Sequence, residues 1–438
     1  VTFVFAFDFD GVIVNSHNVL RQTYFEFLEM QGREGNEQEF LHLNGPSLKE
    51  IVGILKENYA LADSTHSLFL IYRDLLWKRY MHVSLVPGIT ECLNELRHQQ
   101  IPVALVTSAM RLEVEAVLKA ADLLRVFDVI ITGDDVATSK PSPEIYLKLR
   151  EIFAERSIYA VEDSESGLQS AVAAGLRAIF FDAIGTGTQT QVFCRVENAK
   201  RLKHVIQGLL FNACVIETAD SFGVQVMKSP QTLDKSTVSE IDRIWALELK
   251  NRPRNDDLVL YYGGRQLQDG HCLISAYLGP YRYFFAQHLD ASLEISFTPL
   301  AVSGLCLIDY EWVLVGQRKK VTQYPGQREF APSGGLSLPA GTSGEIDFVS
   351  QLIDEFESET GLEARSVESI LTLGLIHDLN HNVIDIGCQM NINDAARKSL
   401  MTSDEYSSLS WENFANFQEG QLIPTSRCLF TLARSYSD

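Results

Sequence analysis

The chain has 438 residues, enough for two or three domains at about 100–200 residues each, and its 46% hydrophobic and 21% charged content is ordinary for a globular protein that buries a full core. Its 57 acidic and 37 basic residues give a formal net charge of −20 with no local basic patch, which argues against nucleic acid as a partner. Seven cysteines without a CxxC pair indicate neither a disulfide framework nor a zinc site, and they read as buried thiols in a reducing compartment.

The first residues, VTFVFAFDFDGVIV, are apolar but lack a basic leader and are interrupted by Asp8 and Asp10, so they do not read as a signal peptide. No stretch approaches the ~20 uncharged apolar residues of a membrane span. A cytoplasmic protein without a membrane partner is expected. Residues 3–7 (FVFAF) predict a buried parallel strand ending at Asp8. A polar-rich helical block follows over about 15–85. An alternating rhythm then resumes: strand 101–106, helix 111–121, strand 127–132, helix 143–153, strand 158–161, helix 166–174 and strand 178–181. That alternation predicts a parallel α/β sheet covered on both faces, with the early helical block as a cap over the strand ends. After about residue 212 the pattern changes. Short strand-like segments at 213–217, 223–226, 258–262, 272–278, 304–309 and 312–315 are followed by a single strong helix candidate at 346–360. This is α+β organisation, and domains of 1–211 and 212–438 are expected.

Asp8-Phe9-Asp10-Gly11, Thr107-Ser108, Lys140-Pro141 and Glu162-Asp163 fall at the ends of predicted strands. In an open parallel sheet the carboxyl ends of strands converge on one crevice, so these elements should meet. The chemistry assigns the roles. Asp8 is a carboxylate nucleophile able to form an aspartyl-phosphate. Asp10 can protonate the leaving oxygen and then activate water. Thr107 and Lys140 would bind phosphoryl oxygens, with Ser108 beside them. Asp8, Asp10, Glu162 and Asp163 are hard oxygen ligands for magnesium.

These segments, DFDGVIVNS, VTS, SKPSPEIY and VEDSESGLQSAVAAG, resemble the four motifs of the haloacid dehalogenase (HAD) superfamily over roughly 1–210, closest to its β-phosphoglucomutase and phosphoglycolate phosphatase branch. The resemblance implies a Rossmann-like core with a helical cap at about 15–85, and a magnesium-dependent phosphatase acting on a small phosphomonoester. A phosphomutase is the alternative. It also places a substrate-selecting loop at Leu43-Asn44-Gly45-Pro46-Ser47-Leu48, where an ordinary helix–helix turn is the competing reading. Lys49 and Arg21 are weaker candidates, since such charges are usually solvated.

Gly334-Gly335 through Gly361-Leu362 resembles a Nudix box, a glycine-rich loop followed by a helix ending R-E-x-x-E-E-x-G. Glu355 and Glu359 lie four apart, on one helical face, where they could coordinate a divalent ion. Gly361 would end the helix. Asp354 stands where the motif has arginine and Ser358 replaces one glutamate, and the stretch between glycine loop and helix is long. The order IDRIWALELKNRP (241–253), LYYGGRQL (260–267), GPYRYFFAQHL (279–289) and then the box is similar to the Nudix branch that hydrolyses UDP-glucose. That similarity, over about 213–438, implies a Nudix-like α+β domain using magnesium to cleave a nucleoside diphosphate sugar. In it Glu355 and Glu359 hold the metal, Gly334 and Gly335 turn near the diphosphate, and Tyr281, Arg282 and Arg318 are substrate contacts, with cross-strand packing the competing reading. A binding module without hydrolysis is the alternative. His377 and His381 in LIHDLNHN lack the glutamate of a HExxH site, and with Asp378 they read as a loop between strands. The expected whole is a bifunctional hydrolase of a phosphorylated small molecule and a nucleotide sugar; nothing indicates its oligomeric state.

Overall fold

In the computed structural model, the run FVFAF forms β1 (Phe3–Phe7), flanked in an all-parallel sheet by β2 (Val103–Val106), β3 (Val129–Ile131), β4 (Ser157–Glu162), β5 (Arg177–Phe181) and β6 (Cys194–Val196), in the order β3-β2-β1-β4-β5-β6. The structure describes residues 3–435 except 44, 211, 230–232, 252–254, 294, 320–322, 339–343, 399, 402–404, 419 and 421. The chain divides into two compact units, Val1–Ile206 and Gln207–Asp438.

The first unit is a Rossmann-like parallel sheet. β1 is central and its side chains from Val4 onward are fully buried, which is why it reads as an unbroken apolar run rather than an alternating one. Phe5 stacks on Tyr159 of β4 with ring centroids 5.4 Å apart. The strand expected at 127–132 is shorter: β3 pairs only over Val129–Ile131, between a 3-10 turn at 124–126 and one at 133–135 that Thr132 caps. The cap is four helices: α1 (His17–Met30), α2 (Glu37–His42), α3 (Leu48–Asn58) and α4 (Thr65–Tyr80). They close around Tyr24, Phe27, Leu28, Val52, Leu55 and Leu68. α3 begins with a reciprocal cap, the Ser47 hydroxyl accepting from Glu50 N–H while the Glu50 carboxylate accepts from Ser47 N–H. The sheet is covered by α5 (Ile89–His98), α6 (Arg111–Ala120), α7 (Glu144–Ile152) and α8 (Glu165–Ala173), and α9 (Ala199–Leu210) leads into the second unit.

The second unit is sheet-rich. Its strands are β7 (Ala213–Glu217), β8 (Ser221–Val226), β9 (Leu258–Gln268), β10 (His271–Pro280), β11 (Leu300–Ile308), β12 (Trp312–Arg318), β13 (Arg328–Phe330), β14 (Ser333–Gly335), β15 (Glu345–Ile346), β16 (Val367–Asp378), β17 (Val383–Ile392) and β18 (Tyr406–Asn413). One sheet runs β15-β8-β10-β9. The larger runs β13-β12-β11-β17-β16-β7, with β14 paired to β11 and β18 to β12. The single helix expected here is joined by three others: α10 (Lys235–Asn251), α11 (Tyr281–Leu289) and α13 (Pro424–Ser435), besides the box helix α12 (Phe348–Thr360). Their signals are masked differently. α11 is rich in aromatic residues, whose helix propensity is low. α13 is short, and its helical character comes from burying Leu429, Phe430, Leu432 and Ala433 against the larger sheet. Among the described residues, no helix is long and apolar enough to cross a membrane.

Replacing Phe5 by Ala removes a fully buried ring from the central strand. It is expected to destabilise the first unit by about 3–5 kcal/mol, read from the urea transition of that unit.

Candidate active site

At the carboxyl edge of the first sheet, β1, β2 and β4 end in Asp8, Thr107 and Glu162-Asp163, and the loop before α7 brings in Lys140. The Lys140 ammonium is fully buried. It donates to Asp8 Oδ1 at 2.9 Å, to Glu162 Oε1 at 2.6 Å and to the Val106 carbonyl at 2.9 Å. Burial works against its charge, but Asp8 and Glu162 outweigh that and hold its pKa above the ordinary lysine value. The same burial raises the Glu162 pKa to about 7, against the lowering pull of Lys140 2.6 Å away. The Tyr146 hydroxyl also donates to Glu162.

Asp8, Glu162 and Asp163 each offer an oxygen within 4.8 Å of the others. Glu162 keeps a second oxygen, Oε2, buried with no hydrogen-bond partner, as does the Ser108 hydroxyl. A hard divalent cation fits the carboxylates, and an oxyanion fits the hydroxyl. The buried Thr107 hydroxyl accepts from Ala109 N–H at 3.1 Å, which fixes the loop after β2.

The Asp10 carboxylate stands outside that trio of oxygens. It accepts from the Tyr80 hydroxyl at the end of cap helix α4, across 70 residues of sequence. Burial first, and Asp8 second, raise its pKa to about 6, against the lowering influence of Ser16 and Tyr80. This environment favours the acid–base role expected for Asp10 over its expected role as a metal ligand. Glu113, on α6, is buried nearby with Oε1 lacking a partner, and burial followed by Asp10 raises it to about 7. Sequence reading missed Tyr80 and Glu113 because neither sits in a motif; the only signal was the position of Tyr80 at the close of the cap block.

Gly45 of the cap loop adopts a φ of +109°, and a Cβ there would lie 1.6 Å from the Ser166 hydroxyl at the start of α8. The loop therefore touches the segment just after Asp163. Asn44 lies outside the described residues. Arg21 pairs with Glu37 within the cap.

In the second unit, Glu355 and Glu359 face inward from α12, while Asp354 and Ser358, the two departures from the box, are exposed. Gly334 is needed for the helix to approach, since a Cβ would meet Glu355 Oε1 at 2.2 Å; Gly335 faces open space. Glu359 accepts from Ser333 N–H at 3.1 Å and from the Tyr406 hydroxyl at 3.3 Å, and its other oxygen is buried without a partner. Burial, then Glu405, Glu329 and Glu355, raise its pKa. Arg318 is brought to this cluster through an ion pair with the buried Glu329. Arg282, by contrast, is engaged at the start of α11 by Asp256 and lies 3.0 Å from Asp242. Tyr281, the first residue of α11, packs among aromatic rings including Trp245 and Phe285. His377 and His381 take separate partners, Asn382 at 3.0 Å and Asp378 at 3.2 Å, rather than a common ion.

Residues 5–181 match the haloacid dehalogenase-like hydrolase family. The "Phosphorylated carbohydrates phosphatase" of Thermotoga maritima is 29% identical over 184 residues, 40% of this chain and 82% of that protein. "Protein CbbY" of Rhodobacter capsulatus is 29% identical over 187 residues, again 40% of this chain and 82% of the relative. Among solved structures, CbbY from Rhodobacter sphaeroides in complex with phosphate covers 46% of this chain and 96% of its own, at 23% identity and a TM-score of 0.41.

Lys140→Met leaves two buried carboxylates uncompensated and is expected to destabilise the first unit by about 3–5 kcal/mol, measured by chemical denaturation. Tyr80→Phe removes a donor that stabilises ionised Asp10, so the limb of the pH–rate profile governed by Asp10 should move to higher pH; an unchanged limb would show that Asp10 does not govern it.

Proposed function

With residues 5–181 forming a haloacid dehalogenase-like phosphatase domain, we propose that the first unit hydrolyses a phosphorylated sugar or a similar small phosphomonoester through Asp8. The observation that supports this most is the Asp8 carboxylate held 2.9 Å from a buried ammonium, with the oxygens of Glu162 and Asp163 grouped beside it. An Asp8 oxygen attacks phosphorus while the bond to the sugar oxygen breaks, and Asp10 gives its proton to that leaving oxygen. Asp10 then takes a proton from water, whose oxygen attacks phosphorus and breaks the Asp8–phosphate bond, releasing inorganic phosphate. Thr107 and Ser108 donate to the phosphoryl oxygens, while Lys140, whose three N–H donors go to Asp8, Glu162 and the Val106 carbonyl, offsets their charge. Magnesium bound by Asp8, Glu162 and Asp163 would neutralise charge on the phosphoryl group. The carbohydrate class is supported by the likeness to the phosphorylated carbohydrates phosphatase of Thermotoga maritima.

For the second unit the proposal is binding and hydrolysis of a nucleoside diphosphate sugar at the Nudix-like box. Its support is the inward pair Glu355 and Glu359, with a buried, unpartnered Glu359 oxygen for a divalent cation. Ser358 and Asp354 lie on the exposed side, so their departure from the box leaves that pair in place. Diphosphate cleavage would yield two phosphomonoesters, and the first unit would consume one of them.

The test is an end-point assay with UDP-glucose and magnesium, quantifying nucleotides and phosphate. The full chain should release phosphate. Asp8→Asn should stop at UMP and glucose 1-phosphate, and Glu355→Gln/Glu359→Gln should leave UDP-glucose intact. If Asp8 alone supports hydrolysis of sugar phosphates while UDP-glucose and a panel of other nucleotide sugars persist, the second unit does not hydrolyse them. Asp10→Asn should lower phosphate release by about 10²–10⁴-fold.

A further inference from the structure

In a chain of net charge −20, basic side chains that find no carboxylate need an explanation. Three meet at the edge of the first sheet opposite Asp8. β4 starts at Ser157 and β5 at Arg177, and both strands run from there toward the catalytic edge. At their starts lies a cleft of about 210 Å³, lined by Arg150, Arg156, Arg177 and Gly175 together with other residues of the segment 153–158. No aspartate or glutamate lies among its lining residues, except that the exposed Glu155 falls within that segment without lining it.

Two of the three guanidiniums have a neutral partner. Arg150, in the last turn of α7, donates to the Ala174 carbonyl at 2.7 Å and so caps the end of α8. Arg177 donates to the Tyr159 hydroxyl at 2.5 Å and lies over the Tyr159 ring, 5.4 Å from its centroid. The Arg156 side chain makes no hydrogen bond or ion pair among the described residues. None of the three pairs with a carboxylate among those residues. Compensation of a helix end explains Arg150; it does not explain Arg156 or Arg177, which lie outside the helices. A guanidinium has five N–H donors, so most of the donors of all three, which are exposed, face solvent and are open to an anion. Like charges around one cleft repel until an anion is placed between them. Planar guanidinium forks match the oxygens of a phosphoryl group.

We propose that this cleft is a second phosphoryl-anion site, separate from Asp8, which takes inorganic phosphate or the phosphate group of a phosphorylated small molecule. It needs neither the sugar specificity nor the second-unit activity proposed above.

The probes are inorganic phosphate and, separately, glycerol 2-phosphate. Each is titrated calorimetrically, at an ionic strength held constant with chloride, into the full chain carrying Asp8→Asn to prevent turnover. The parent should bind phosphate at one site more than the same chain with Arg150→Gln, Arg156→Gln and Arg177→Gln. Loss of the extra site for inorganic phosphate alone makes the free ion the ligand; loss for both probes makes it the phosphoryl group of a larger molecule. Identical stoichiometry and affinity in parent and variant overturn the proposal. Should the triple variant fail to fold, Arg156→Gln alone is informative, because that side chain supports no other contact. It should weaken the site by about tenfold, and unchanged binding again overturns the proposal.

Discussion

The Lys140 ammonium, buried between Asp8 and Glu162, is what allows carboxylates to stand together away from water. Two buried negative charges at that distance would drive one another to protonate. The ammonium between them donates to both and offsets that repulsion. The surrounding architecture serves this contact. β1 and β4 are adjacent and parallel, so their ends deliver Asp8 and Glu162 side by side, and the Val106 carbonyl at the end of β2 occupies a further donor position of the ammonium. The sheet order is thus tied to the electrostatics: interchange of two strands would separate charges that must be neighbours.

Much of this edge was legible in the sequence, for a physical reason. Parallel strands buried on both faces are written as continuous apolar runs, and each of the runs FVFAF, VALV and SIYAVE ends where a chemical residue begins. The family match over 5–181 agrees with that reading. What could not be read was the closing side of the site. Tyr80 reaches Asp10 from 70 residues away, and Glu113 is buried by its approach to the cap, so neither has a local pattern. Helix positions shifted by only a residue or two at their ends, whereas the strand expected at 127–132 pairs only over Val129–Ile131.

The second unit was harder because its pattern is mixed. β16 and β17 are long and antiparallel, while β11 and β17 run parallel, so one sheet contains both continuous and alternating apolar runs. The residues around Glu359 are similarly dispersed: Ser333 comes from β14, Glu329 from β13 and Tyr406 from β18. A box motif reports only the helix that carries it. Whether its carboxylates are buried, and what they face, is decided by strands that lie up to 47 residues away.

The contact between Gly45 and Ser166 gives the cap loop a mechanical role. The loop rests on the first turn of α8, immediately after Asp163, at a distance that admits only a hydrogen atom on the cap side. Seating of the cap and placement of that aspartate are therefore one event, like a latch whose bolt and keeper share a plate. Any side chain at Gly45 would act as a wedge, holding the cap ajar and opening the carboxyl edge of the sheet to bulk water.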